Sequence, residues 1–194
     1  MEQPALTLFI VKNSLEALVI SGFSALIALL AMIFALLQTE KKSFGSIALF
    51  SLSSAVLLLS DSQASQLIWN LPMMWDYLAA GSYYMLPVAM ALLLEQWFSD
   101  RRPWLINLVW KIHLVYAVVA IGLALMGVVD LSSTYPPFDA LRLASLATVT
   151  VVVVKRFRQL KIEQQIILAA YGVFCSLLVV DMAVAHGVLP WGRV

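Results

Sequence analysis

Residues 15–37 read LEALVISGFSALIALLAMIFALL, an apolar run that ends at the polar cluster Gln38-Thr39-Glu40-Lys41-Lys42-Ser43. Its length decides the class of fold. A hydrocarbon core about 30 Å thick is crossed by ~20 helical residues rising about 1.5 Å each, and this run is long enough. Backbone polar groups in lipid find no water, so a helix, which pairs them internally, is the form the run must take. A secretory signal is excluded. Glu2 and Pro4 stand where a positive n-region belongs, the run is too long, and no small-x-small cleavage site follows it.

Working outward, five further runs follow. The second is about 44–59, stopped by Ser60-Asp61-Ser62-Gln63, and the third about 77–98, with Pro87 near its middle and Ser99-Asp100-Arg101-Arg102-Pro103 behind it. The fourth, fifth and sixth are about 104–129, 138–154 and 162–189. The second and fifth lie near the lower limit for spanning. Composition agrees: hydrophobic residues make up 62% of the 194 and charged residues 12%, against about 25% charged in soluble domains. So little polar surface cannot cover a water-soluble globule. The expected fold is an all-α polytopic membrane helix bundle of six transmembrane helices. Residues 1–13 form an extracytoplasmic segment, 14–189 the six-span domain, and 190–194 a truncated or terminal outer segment.

Orientation follows from the basic residues. The loops after spans one, three and five hold Lys41, Lys42, Arg101, Arg102, Lys155, Arg156, Arg158 and Lys161, whereas the segments 61–76 and 130–137 hold no Lys or Arg. The positive-inside rule puts the first set in the cytoplasm and the N-terminus outside. Trp69, Trp75 and Tyr135 then fall at the outer interface, and Trp97 and Trp104 at the inner one, as amphipathic rings prefer. No basic stripe lies outside the short loops, which excludes nucleic acid as a partner. The single Cys175 allows no internal disulfide, and no Cys/His set has metal spacing.

Ionisable groups within the spans are the informative ones, because each costs a few kcal/mol at the bilayer centre unless paired or near an interface. Glu95 and Lys111 lie toward the same ends of spans three and four, which a short loop makes antiparallel neighbours. They are candidates for an intramembrane ion pair; the plainer reading has Lys111 reaching to the head groups with Glu95 at the interface. Asp181 in span six and Arg142 in span five share a similar depth toward the outside. Their functional reading is a polar cavity where a polar or anionic ligand meets Arg142. Their structural reading is a clasp between helices, and Asp139 also stands three residues from Arg142 on the same helix. Trp69, Trp75 and Asp76 belong to the long outer segment 66–76, rich in Trp and Met, which reads either as a ligand-facing loop or as a half-helix lying on the membrane.

Other constellations give less. His113 and His186 are separated by most of the bilayer, so they make no joint metal or haem site. Gly22-Phe23-Ser24-Ala25 lacks the last glycine of a serine-protease motif and has no histidine to serve it. No lysine occupies the middle of span six, so a retinal Schiff base has no candidate. Small residues at four-residue spacing (Ala140, Ala144 and Thr148; Ala31 and Ala35) and the group Ala79-Ala80-Gly81-Ser82 read as packing faces. No internal repeat links the two halves, which weakens an inverted-repeat transporter.

Several features carry a resemblance. They are Gly22 in the first span, the short basic first inner loop, and Gln66-Leu67-Ile68-Trp69-Asn70-Leu71-Pro72 after the second span. Asp181-Met182 followed by Pro190-Trp191-Gly192 completes the set. Together the chain resembles the bacterial seven-transmembrane receptors with diverse intracellular signalling modules, the 7TMR-DISM group. Asn70 stands where that family's outer loop has proline. The resemblance implies reception of an outside or membrane-embedded stimulus and its transmission to a cytoplasmic histidine kinase, cyclase or diguanylate cyclase. It also implies a last helix and an output module that this sequence lacks, leaving the membrane sensor portion.

The expected function is therefore a receptor-like sensor in a bacterial inner membrane, crossing it several times, with Arg142, Asp181, Trp69, Trp75 and Asp76 as candidate ligand contacts and Glu95 with Lys111 as a candidate ion pair. The bilayer, an unidentified small-molecule or lipid ligand and a second copy of the chain are its expected partners; no cofactor is expected. A small oligomeric transporter or channel, using Glu95, Lys111 or Asp181 along a pathway, and a non-catalytic membrane subunit are the alternatives. An enzyme is disfavoured, because no nucleophile–base or metal set assembles at one depth.

Overall fold

Among the described residues, six long helices lie on the six apolar runs: α1 (Leu15–Leu37), α2 (Lys41–Asp61), α3 (Pro72–Trp97), α4 (Trp104–Leu125), α5 (Tyr135–Arg156) and α6 (Ile162–Ala185). The computed structural model describes residues 10, 12, 14–98 and 104–185, without the side chains of residues 156, 159, 178, 181, 182 and 185. Among the described residues every regular element is helical. Among the described residues, five helical segments are long and apolar enough to cross a membrane: 15–37, 41–61, 72–97, 104–125 and 131–155. The described apolar part of α6 is the shorter stretch Ile162–Leu177. The two runs that looked short are extended by their polar flanks, giving α2 21 residues and α5 22. Residues 1–9 and 186–194, on which the outermost segments were expected, lie outside the described residues, as do Arg101 and Arg102.

Helix ends differ from the apolar boundaries where turn chemistry intervenes. α3 starts at Pro72 rather than near residue 77, because proline at the first helical position has its φ already fixed and needs no N–H partner. The expected long outer segment thus shrinks: a single-turn helix, Ser65–Ile68, with three residues on either side of it separates α2 from α3, and Trp75 and Asp76 are helical. α4 stops at Leu125 rather than near 129. Gly127 adopts φ 69°, and the Val128 and Gly127 N–H groups bond back to the Leu123 and Ala124 carbonyls, both at 3.0 Å. That is a Schellman termination, and the left-handed residue it requires is the glycine.

The chain divides into two compact units, Met1–Phe138 and Asp139–Val194. In the first, α1 packs on α2, α2 on α3 and α3 on α4. α3 is the centre of this unit, with 61% of its spanning window buried against 17% for α1 and 28% each for α2 and α4. Lipid, not water, surrounds such a unit, so apolar character does not decide which face turns inward; close approach does. α1 accordingly buries its small residues Ser21, Ala28 and Ala31 and leaves Phe23, Leu36 and Leu37 exposed. α2 turns Ser46, Ala48, Ser51, Ser53 and Ala55 inward. Ser21 Oγ donates to the Ala55 carbonyl at 2.9 Å, tying α1 to α2. Other α2 serines donate to carbonyls four residues back, Ser54 to Phe50 and Ser60 to Val56, which hides their hydroxyls within the helix.

Candidate functional site

Two polar networks lie along α3, one around its middle and one near its C-terminal end. Around the middle, Ala80 and Tyr84 stand one turn apart and face Ala117 and Ala120 of α4, and Phe138 from the start of α5 fills the space beside them. The alanines let the helices approach, and the rings occupy the volume this leaves. Tyr84 and Phe138 are fully buried with ring centroids 4.5 Å apart. Tyr116 meets Tyr84 edge-on at 5.8 Å and Phe138 at 5.4 Å, and Tyr83 meets Phe138 at 5.3 Å. Offset and edge-to-face pairs at these separations are the favourable aromatic geometries.

Hydroxyls close this cluster through Thr134, in the short 3-10 helix Leu131–Thr134 ahead of α5. Thr134 Oγ1 donates to the Leu131 carbonyl at 2.5 Å, which uses its only hydrogen. The bond at 2.5 Å between Tyr84 and Thr134 must therefore have Tyr84 as its donor. Tyr116 donates to the Thr134 carbonyl at 2.6 Å. One threonine thus joins α3, α4 and the turn after α4. His113, expected as an interface or hydrogen-bonded core residue, is the latter. It is fully buried, its Nδ1 lies 2.8 Å from the Val109 carbonyl, and its ring stands edge-on to Phe138 at 5.5 Å. A carbonyl only accepts, so Nδ1 carries a proton.

Near the C-terminal end of α3, Glu95 and Gln96 are adjacent and therefore point about 100° apart around the helix. Each reaches a different neighbour. Glu95 turns to α4, where Asn107 Nδ2 donates to its Oε1 and Trp110 Nε1 to its Oε2, both at 2.8 Å. Gln96 turns to α2: Ser43 Oγ donates to its Oε1 at 2.9 Å, and its Nε2 donates to Ser46 Oγ at 3.3 Å. Glu95, expected as one half of an ion pair with Lys111, has Asn107 and Trp110 as hydrogen-bond partners. Lys111 Nζ lies over the Trp110 ring, 5.5 Å from its centroid, and Lys111 is exposed. One helical turn separates Asn107 from Trp110 and Lys111, and that spacing aims the first two at Glu95 while Lys111 turns outward.

The remaining sequence-derived candidates belong to both units. Trp75 is buried and its Nε1 donates to the Trp69 carbonyl at 2.8 Å, so it clamps the α2–α3 connection. Trp69 itself and Asp76 are exposed. Arg142 belongs to the second unit, where it lies close to Tyr171 and Cys175 of α6, which hydrogen-bond each other. The side chain of Asp181 lies outside the described residues, as does His186. Of the small-residue faces, Ala31 and Ala80 are buried, whereas Ala140 and Ala144 are exposed. Sequence reading missed Tyr84, Tyr116, Thr134 and Phe138 around the middle of α3, and Gln96, Asn107 and Trp110 near its C-terminal end. Two signals were available: the pair Tyr83-Tyr84 inside an apolar run, and Glu95-Gln96 side by side near a span's end.

The family model 7TMR-DISM_7TM, described as 7TM diverse intracellular signalling, matches residues 12–194. It denotes a membrane sensor domain linked to signalling rather than a catalytic one, which makes this chain a multi-pass membrane protein of generally receptor-like role. Neither a curated protein nor a solved structure matches the chain.

Proposed function

The chain belongs to the 7TM diverse intracellular signalling family, and from that membership we propose that it relays an extracytoplasmic or membrane-embedded stimulus across a bacterial inner membrane towards a cytoplasmic signalling module. The observation that supports this reading is the build of α3. One continuous buried helix carries Tyr84 in the network that includes Thr134 and Tyr116, and Glu95 with Gln96 in the network that holds α4 and α2. Pro87 stands between them and is itself buried. Proline has no N–H to donate and its ring crowds the preceding turn, so the helix has a built-in weak point there.

A stimulus shifts the packing around Tyr84 only by as much as it prefers one arrangement over the other. Because the two halves of α3 are otherwise hydrogen-bonded helix, a change at Tyr84 is passed to Glu95 and Gln96 as a movement of the second half. In this reading Trp69, Trp75 and Asp76 face the outside. Arg142 and Asp181 stay as proposed ligand groups of the second unit, and replacing both with alanine abolishes the response while insertion is kept.

The test compares cells producing the native protein with cells producing Pro87→Ala at equal membrane levels. Cyclic nucleotides, cyclic dinucleotides and phosphohistidine are read across a panel of external solutes. A solute-dependent change seen with the native protein and lost with Pro87→Ala is the expected result. Solute uptake by the purified protein in proteoliposomes, with no such change in cells, would overturn the reading in favour of a transporter.

A further inference from the structure

The Glu95 network borders a cavity of about 650 Å³ between α2, α3 and α4 that the relay does not require. We infer that this cavity binds the head group of a phospholipid bearing a primary ammonium and a phosphate, the phosphoethanolamine type. Opposite charges line one space: the Glu95 carboxylate on α3 and Lys42 on α2. A lone cation would answer only the first, and a lone anion only the second; a zwitterion answers both.

The hydrogen-bonding inventory selects the cation. A carboxylate has about four lone-pair sites, and the Glu95 oxygens have accepted one bond each, from Asn107 and Trp110. Both donors are neutral, so the negative charge stays uncompensated by them. Ser46 Oγ lines the same space as a further acceptor. A primary ammonium offers three N–H donors to such a set, whereas a trimethylated one offers none. Cation–π capture of a quaternary group is disfavoured as well, because Lys111 already lies over the Trp110 ring.

Position and lining point to a lipid rather than a free solute. Lys42 is the second residue of α2 and Glu95 the third from the end of α3, so the charged groups sit at the helix ends, where head groups lie. Leu49 and Leu92 line the cavity further along α2 and α3 and offer an apolar wall to the start of the acyl chains. The volume falls within the range of about 300–1,000 Å³ typical of small-ligand sites.

The test uses the full native chain, purified from its membrane into detergent micelles and supplied with equal amounts of phosphatidylethanolamine and phosphatidylcholine of the same acyl chains. Native mass spectrometry reads the retained lipid. At least ten-fold preference for the ethanolamine lipid is expected, with about ten-fold lower retention in Glu95→Gln and in Lys42→Gln. Equal retention of the two lipids, or unchanged retention in both variants, would overturn the inference. Soluble O-phosphoethanolamine competing as well as the lipid would overturn the lipid assignment. Lys42→Gln alters an exposed residue and carries the test if Glu95→Gln fails to fold. The lipid comparison needs no variant and is independent of any signalling response.

Discussion

The hydroxyl of Tyr84 donates to Oγ1 of Thr134 across 2.5 Å, joining residues fifty positions apart in the chain. Thr134 passes its own hydrogen to the Leu131 carbonyl. The two ends of this bond are therefore not equivalent. Tyr84→Phe leaves Thr134 still donating and removes only an accepted bond, a loss of about 0.5–1.5 kcal/mol. Thr134→Val strands a buried donor on Tyr84, which costs about 1–3 kcal/mol. Thermal unfolding in detergent, followed by tryptophan fluorescence, is expected to rank Thr134→Val below Tyr84→Phe. The reverse order would mean that the donor runs the other way.

Phe138 is the keystone of the aromatic cluster by contact: it meets Tyr83, Tyr84, Tyr116 and His113 and is fully buried. Truncating a buried phenylalanine to alanine costs about 3–5 kcal/mol through lost contacts and a residual cavity. Leu36→Ala, at a position 75% exposed to the surroundings, is the control. It is expected to change stability by no more than about 0.5 kcal/mol. A Phe138→Ala protein as stable as the control would show that the cluster does not hold the first unit together.

Trp110 donates to the Glu95 carboxylate, and Lys111 lies over the Trp110 ring. Trp110→Phe removes a hydrogen bond to a carboxylate, worth about 1.5–3 kcal/mol. Lys111→Gln removes only an exposed cation–π contact, worth about 0.5–1 kcal/mol. Chemical unfolding of both variants and of the double variant distinguishes the cases. A Lys111→Gln loss as large as that of Trp110→Phe would support a direct ion pair between Glu95 and Lys111.

Membrane orientation is tested in a Cys175→Ser background with single cysteines at exposed positions. With the N-terminus outside, Gln63→Cys and Ser132→Cys react with an impermeant maleimide in intact cells, and Lys41→Cys reacts only after permeabilisation. The opposite pattern would invert the proposed direction of signalling while leaving the packing unchanged.

The helices themselves were legible because lipid imposes a length and a polarity on any segment that crosses it. Residues 15–37 match α1 end to end. Departures occur where a local conformational rule outweighs hydropathy. Pro72 draws the start of α3 back into a segment that reads as loop, and Gly127 ends α4 inside a run that remains apolar to Val129. Both residues are visible in the sequence, and their effect is a matter of backbone geometry rather than transfer energy.

The sites were less legible. Charge drew attention to Glu95 and Lys111 as a pair, because depth in a membrane can be read from the sequence and azimuth around a helix axis only partly. Glu95 has an amide and an indole as hydrogen-bond partners, which carry no net charge and so leave no signal in a charge count. The Tyr84–Thr134–Tyr116 cluster gives even less warning, since Thr134 lies in a connecting turn.

The sequence by itself determined that this is an all-α membrane protein of the 7TM diverse intracellular signalling family, since apolar length and backbone pairing in lipid leave no other arrangement and the family signature runs through residues 12–194. Only the tertiary structure decided which groups meet. In lipid a buried face and an exposed face are equally apolar, so inward direction is set by small residues that permit close approach, as Ser21, Ala28 and Ala80 do. It is set equally by polar atoms that must find partners once water is excluded, as Tyr84, Gln96 and Glu95 do.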